Sequence, residues 1–129
     1  MTKLAVIYYS ATGHGTAMAN RVAATAEAAG ADVRLRHIAE TRDPEEFAGN
    51  PAWTANYEAT KDLPAASGDD IVWADAAIFG SPTRFGSTAS QFRAFIDSLG
   101  GCGPRACSPT RSTRGSRRRR PPTAGRRPR

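Results

Sequence analysis

The sequence changes character abruptly at residue 102, and this break limits what can fold. Residues 102–129 contain no Leu, Ile, Val, Met, Phe, Trp or Tyr. A segment without large apolar side chains cannot join a packed core, so we predict that it is disordered. Any folded domain must therefore be built from residues 1–101, which suit one small unit.

The net charge also changes sign at residue 102. Ten of the 18 basic residues and none of the twelve acidic residues lie in 102–129, which leaves residues 1–101 with a net charge of −4. The arginine-rich tail, densest at Arg117 to Arg120, could bind nucleic acid through salt-sensitive phosphate contacts. It has no interleaved aromatic residues for base stacking, so such binding would be non-specific. Both cysteines, Cys102 and Cys107, lie in the tail with no zinc-ligand spacing, and we expect no metal site.

The first 38 residues predict a strand, a helix and a second strand. Residues 4–9 form a continuous apolar run, typical of a parallel strand covered on both faces. A helix follows from Thr16 to a stop at Gly30. Residues 31–38 then alternate between apolar and charged, as in a strand near a sheet edge. The apolar positions that suggest the helix are Met18, Val22, Ala26 and Ala29.

The rest of the body predicts an irregular excursion, a third strand and a second helix. Residues 40–70 are polar and contain three prolines, so we expect a long excursion with one short helical turn. Trp53 and Tyr57 in this segment either line a partner protomer's site or pack locally, and we predict local packing. Residues 76–80 read as a buried strand and residues 81–86 as a turn. Ser87 or Thr88 then caps a helix that ends at Gly100–Gly101. Its apolar face comprises Phe92, Phe95, Ile96 and Leu99.

Two loops follow strands and should meet at the ligand-binding edge of a parallel sheet. The first offers three hydroxyls and glycine backbone N–H groups at a helix N-terminus, which suit a phosphate. An ordinary capped turn explains the same residue types equally well. The loop lacks the sequence of a Walker A or dinucleotide motif. It consists of Ser10, Ala11, Thr12, Gly13, His14, Gly15 and Thr16.

The second loop contains Pro82, Thr83, Arg84, Phe85 and Gly86. Its hydroxyl, backbone amides, guanidinium and aromatic ring suit a flat heteroaromatic ligand. The alternative is a solvated arginine beside a core phenylalanine. We assign no catalytic side chain, and His14 is not proposed as an acid or base.

Taken together, these motifs resemble the WrbA-type NAD(P)H:quinone oxidoreductases over residues 1–101. The strings that carry the resemblance are Tyr8-Tyr9-Ser10 with Gly13-His14, residues 78–86, and Phe95-Ile96-Asp97 before Gly100-Gly101. The resemblance implies an α/β, flavodoxin-like, doubly wound parallel sheet of strand order 2-1-3-4-5. It also implies FMN, two-electron reduction of a quinone by NAD(P)H, and a homotetramer. By the same resemblance, residues 10–16 hold the FMN phosphate, and Pro82, Thr83, Arg84 and Phe85 border the isoalloxazine.

The tail is consistent with a shifted reading frame. Read one nucleotide back, the codons of 101–103 permit Leu-Trp, and those of 123–127 permit His-Gly-Gly-Gln-Glu, both of which the family has at these places. We therefore interpret 1–101 as the N-terminal part of an FMN-binding domain, truncated after about three strands, and 102–129 as out of frame. We expect marginal folding, weak FMN binding and little or no reductase activity from this chain, which lacks the surfaces that assemble the family's tetramer.

Three further expectations concern location and alternative functions. No secretory signal and no membrane-spanning run is evident, so we expect a cytoplasmic protein. A flavodoxin-derived module that binds nucleic acid through its tail is the alternative function. A one-electron flavodoxin carrier is disfavoured, because the Pro-Thr-Arg-Phe-Gly string points to the reductase branch.

Overall fold

The computed structural model describes residues 1–102, and its centre is a parallel sheet of three strands. These are β1 (Lys3–Tyr8), β2 (Asp32–His37) and β3 (Ala76–Gly80), in the order β2-β1-β3. Val6 lies between Leu35 of β2 and Ile78 of β3. This order confirms the flavodoxin-like α/β fold predicted from the sequence. The predicted tail, apart from Cys102, lies outside the described residues.

Four helices surround the sheet: α1 (His14–Ala28), α2 (Pro51–Thr60), α3 (Gly68–Trp73) and α4 (Ser90–Ser98). Short 3-10 turns span Pro44–Phe47 and Leu99–Cys102. Helix α1 begins two residues earlier than predicted, because Gly13 adopts a left-handed conformation with φ of 100° and ends the loop there. Helix α4 begins after Ala89 without a side-chain cap, so neither Ser87 nor Thr88 caps it.

The segment 40–70 is more regular than the sequence suggested. Asn50 caps α2 by accepting the N–H of Trp53, and Pro51 occupies the first helical position, where a missing N–H costs nothing. Trp53 and Tyr57 both pack on Phe47, with ring centroids 4.9 and 5.4 Å away. The prediction that these two rings pack locally is confirmed.

The hydrophobic core lies on both faces of β1. One face presents Ala5, Ile7 and Tyr9 to Phe95 and Leu99, at α4 and just beyond it. The other presents Val6 and Tyr8 to Ala19 of α1. Alternate residues of β1 are thus buried on opposite sides, which is why its sequence is apolar without interruption.

The α1 face is the less completely covered of the two. Ala76 and Ile78 of β3, which share this face with Leu4 and Val6, are exposed, with Ile78 43% exposed, and Met18 of α1 is 70% exposed. The sequence placed Met18 on the packed face of the helix, but Ala19 and Ala23 occupy that position. Because small alanines let α1 approach β1 and β2, the longer methionine is left at the margin of the contact.

A two-stranded hairpin replaces the simple turn predicted at 81–86. Strands β4 (Thr83–Arg84) and β5 (Ser87–Thr88) pair antiparallel, and Phe85 and Gly86 connect them. Both connecting residues have positive φ, 52° and 79°, as a type I′ hairpin turn requires.

No helix in the described part of the chain is both long enough and apolar enough to cross a membrane.

Candidate functional site

The two predicted loops leave the sheet side by side. Tyr8 and Gly80 are register partners at the ends of β1 and β3, and the N–H of Tyr9 donates to the carbonyl of Gly80 at 3.0 Å. The loops that follow therefore border one crevice of about 470 Å³. The predicted site residues that line it are Ser10, Ala11, Thr12, His14, Gly15, Pro82 and Arg84.

The remaining predicted site residues lie around this crevice. Thr16 directs its hydroxyl to Oδ1 of Asn56, 2.8 Å away. Gly13 packs near the same Asn56 and supplies the positive φ that starts α1. The carbonyl of Thr83 accepts a hydrogen bond from Arg84. Phe85 is fully exposed at the hairpin tip and is no core phenylalanine.

The N-terminus of α1 has the features of an anion site. Its first turn carries no acidic residue, and no side chain caps it. Ala17 is the first residue at this end of α1 whose backbone N–H has an acceptor, the carbonyl oxygen of Gly13. The earlier N–H groups, of residues 14–16, have no acceptor among the described residues, as expected at a helix start. Free donors and the positive end of the helix dipole together favour a phosphate here.

Gly15 permits the tight turn at this helix start. A Cβ at this position would lie 3.1 Å from Cβ of Ser10 and 3.3 Å from the carbonyl oxygen of Tyr9. Ser10 is itself held, since its hydroxyl accepts the N–H of Gly13 at 3.1 Å. The loop is therefore closely wound, and a side chain at 15 would push its wall outward.

Asn56 of α2 anchors the first loop through two hydrogen bonds. Its Nδ2 donates to the carbonyl of Ser10 at 2.8 Å, while its Oδ1 accepts from Thr16. The residue is buried, so both bonds are shielded from water. The sequence analysis did not identify Asn56, because nothing in the excursion marks it as a partner of residues 10–16.

Glu40 links the first loop to the helix behind the second loop. It follows the end of β2 and accepts hydrogen bonds from the Tyr9 hydroxyl, Trp53 Nε1 and Gln91 Nε2, at 2.6, 3.0 and 2.7 Å. The backbone N–H groups of residues 41 and 42 also donate to it. Glu40 thereby fixes β1 against α2 and α4. Its place at the carboxyl end of a strand was the signal that could have identified it.

The same contacts determine the ionisation of this cluster. Burial raises the pKa of Glu40, but the hydrogen bonds that its carboxylate accepts outweigh burial, so the pKa lies below its usual value of 4.5. Burial, the hydrogen bond to Glu40 and the charge of that carboxylate all raise the pKa of Tyr9. Near neutral pH, the cluster is a carboxylate that accepts from a neutral phenol.

Ser81 closes the second loop. Its hydroxyl accepts the N–H of Ala89 at 3.1 Å, so residues 82–88 project as a unit that carries the hairpin. Phe85 is the one described residue other than glycine with positive φ. A bulky residue in this conformation is strained, and such strain is concentrated at functional sites.

Comparisons with known proteins find similar sequences over most of the chain. A family model described as NADPH-dependent FMN reductase matches residues 2–113. A protein of Deinococcus radiodurans named NAD(P)H dehydrogenase (quinone) is 54% identical over 99 residues, which are 77% of this chain and 50% of that protein. Proteins of the same name from Azorhizobium caulinodans and Caulobacter vibrioides are 45% and 42% identical over 101 residues, or 78% of this chain and 48% of each relative. The chain thus spans about half the length of these curated relatives.

Proposed function

The chain belongs to the NADPH-dependent FMN reductase family, and from that premise we propose that its described residues form part of the FMN site of a two-electron NAD(P)H:quinone reductase. The observation that carries the proposal is the crevice at the ends of β1 and β3. It joins an uncapped helix N-terminus to a loop with an arginine and an exposed aromatic ring.

The residues present fit FMN. The N–H groups of residues 14–16 would hold its phosphate, and the loop 82–85 would border its ring system. When bound, FMN supplies hydride acceptance from NAD(P)H and two-electron delivery to a quinone. The protein's own part is to bind and orient, since no nucleophile or general base is required of the described side chains.

The rigid groups behind the loops keep their donors aimed at the crevice. Asn56 donates a hydrogen bond to the carbonyl of Ser10. Glu40 accepts one from the phenol of Tyr9, which immediately precedes Ser10. Donors fixed before the ligand arrives lose little conformational entropy when it binds. The cytoplasmic location and the quinone substrate belong to this same proposal.

A pair of flavins tests the proposal directly. We expect FMN to bind the full chain saturably, as measured by flavin fluorescence, and riboflavin, which lacks the phosphate, to bind more weakly. Gly15→Ala should weaken FMN by roughly tenfold, the value of one charge-assisted hydrogen bond, and leave riboflavin unchanged. Gly49→Ala is the matched control, because a Cβ at Gly49 meets no atom within 4 Å.

Turnover is the second arm of the test. NAD(P)H oxidation that depends on both FMN and a quinone supports the reductase assignment. A chain that is folded by circular dichroism but binds FMN no better than riboflavin would overturn the phosphate assignment. Binding without quinone-dependent oxidation would support the prediction that these 129 residues are impaired while the site itself is formed.

The alternative of nucleic-acid binding rests on arginines outside the described residues. It predicts DNA binding that weakens steeply with salt and disappears when residues 102–129 are deleted.

A further inference from the structure

A second cavity, of about 530 Å³, adjoins the crevice at the ends of β1 and β3, and Tyr9 and Arg84 line both. The charged side chains in its lining are of one sign, since Arg42, Arg84 and Arg93 contribute to it and no described Asp or Glu does. A cavity that lies beside the proposed flavin site and is lined by cations can distinguish ligands by their charge.

Carboxylates in the described part of the chain leave these arginines largely uncompensated. Arg84 and Arg93 form no ion pair within residues 1–102. Arg42 approaches Glu46 at 3.9 Å, but both side chains are more than half exposed, so water screens that pair. Glu40 does not line the cavity, and its carboxylate is already occupied by hydrogen bonds from side chains and backbone N–H groups. An acidic ligand would therefore meet guanidinium groups that lack a strong partner.

The guanidinium of Arg93 keeps donors free for such a ligand. Its Nε donates to the hydroxyl of Thr88 at 3.3 Å, and neither Nη has an acceptor among the described residues. A guanidinium presents its N–H donors in a planar fork that matches the paired oxygens of a carboxylate or a sulfonate. Arg93 is therefore able to bind an acidic substituent through two parallel hydrogen bonds.

Aromatic surface in the second cavity suits a planar ligand. The ring of Phe85 is fully exposed and belongs to the lining. Trp53 also lines the cavity, and its ring is held by a 3.0 Å hydrogen bond from Nε1 to Glu40 and by stacking on Phe47. The guanidinium of Arg42 lies 6.0 Å from the ring centroid of Trp53. A flat ring system with an acidic substituent can thus contact aromatic and guanidinium groups together.

We propose that Arg42 and Arg93 select quinones that carry a carboxylate or a sulfonate over neutral quinones; this inference rests on the proposed function, which does not fix the charge of the quinone. Because Tyr9 and Arg84 border both cavities, a planar quinone can lie towards the crevice while its acidic substituent contacts the arginines. The cavity volume lies in the range of small-molecule sites, roughly 300–1,000 Å³. Arg42 and Arg93 determine specificity here and take no part in electron transfer.

Two anthraquinones test the selection by charge. Anthraquinone-2-sulfonate and 2-(hydroxymethyl)anthraquinone share one ring system and differ in the charge of the substituent. Calorimetric titrations of the full chain, saturated with FMN, should give a Kd for the sulfonate that is roughly tenfold lower. Raising the ionic strength from about 0.05 M to about 0.5 M should reduce this ratio, because salt screens exposed charges.

Arginine variants locate the selection. Arg42→Gln and Arg93→Gln, both at exposed positions, should each raise the Kd for the sulfonate by roughly fivefold. The Kd values for the neutral anthraquinone and for FMN should stay unchanged. Arg21→Gln is the matched control, because it removes the same charge from the exposed side of α1.

The outcomes separate this proposal from the proposed function. Equal Kd values for the two anthraquinones, or an equal loss of sulfonate affinity in Arg21→Gln, overturn the selection by Arg42 and Arg93. Binding of FMN without binding of either anthraquinone also overturns it and leaves the FMN site standing. A folded chain that binds neither FMN nor the anthraquinones contradicts the proposed function itself.

Discussion

The phenol of Tyr9 donates a 2.6 Å hydrogen bond to Oε2 of Glu40. This bond joins the last buried residue before the first loop to a carboxylate that also accepts from α2 and α4. The geometry of the crevice at the ends of β1 and β3 thus depends on a residue that does not line it.

Glu40→Gln should destabilise the fold by about 2 kcal/mol, because an amide NH₂ group would face donors from Tyr9, Trp53 or Gln91 that then lack an acceptor. Urea denaturation followed by circular dichroism measures the change. Glu46→Gln, an exposed glutamate in a weak ion pair, should change stability by less than about 0.5 kcal/mol. If both variants lose the same free energy of unfolding, the hydrogen bonds of Glu40 stabilise the fold no more than an exposed ion pair does.

Lowering the pH should weaken the hydrogen bonds that the Glu40 carboxylate accepts. The folded pKa of Glu40 is depressed below its unfolded value of 4.5, so its ionised form stabilises the fold above that pH. The contribution is lost as the pH falls through the folded pKa. The stability difference between the unsubstituted chain and Glu40→Gln should therefore narrow below pH 4.5. A difference that is constant from pH 7 to pH 3 would contradict the depressed pKa.

Asn56→Ala should loosen the first loop. The variant loses the donor to Ser10 and the acceptor for Thr16, and it leaves two partly buried polar groups without partners. We expect a loss of about 2 kcal/mol in stability and a larger loss of affinity for FMN than for riboflavin. Asn50→Ala, which removes the cap of the same helix α2, controls for general damage to that helix. It should lower the affinities for both flavins equally.

Phe85→Asn should increase stability by about 1 kcal/mol, because asparagine adopts the left-handed conformation of a type I′ turn far more readily than phenylalanine. The same change removes the exposed ring of the loop that we propose to border FMN, so FMN affinity should fall. Phe85→Tyr keeps the ring and the strain and should resemble the unsubstituted chain in both assays. If asparagine destabilises the chain, the strain at this turn is not real.

The reading-frame hypothesis predicts that the gene around codons 98–104 carries a frameshift or a sequencing error. Two measurements distinguish a frameshift in the gene from a sequencing error: resequencing of that region and the intact mass of the native protein. A mass larger than that of 129 residues, together with a restored reading frame, would show that the tail is a sequencing error. A mass that equals 129 residues, with an unaltered gene sequence, would make the arginine-rich tail part of the protein.

The sheet, the first helix and the two loops could be predicted from the sequence because local signals determine them. An unbroken apolar run in β1, the glycines before α1 and the Pro-Thr-Arg-Phe-Gly string each act within a few residues. The roles of Glu40 and Asn56 could not be predicted in this way. Glu40 contacts Gln91 across 51 positions of sequence and Asn56 contacts Ser10 across 46, and neither partner marks the other by pattern.

The hairpin shows a second limit. A type I′ turn usually contains Asn-Gly or Asp-Gly, and Phe85-Gly86 gives no such signal. Phenylalanine in a left-handed conformation is intrinsically unfavourable, so propensity predicts against the structure that forms. The pairing of Thr83 with Thr88 and the closure of the loop by Ser81 hold it in place.

Arg84 borders both the crevice at the ends of β1 and β3 and a second cavity of about 530 Å³, to which Arg42 and Arg93 also contribute. If each cavity binds an anion, the single guanidinium of Arg84 makes the two binding equilibria interdependent. Whichever ligand attracts Arg84 changes the affinity for the other, and thermodynamic reciprocity requires the two effects to be equal in size. Substitution of Arg84 would then alter binding in both cavities together.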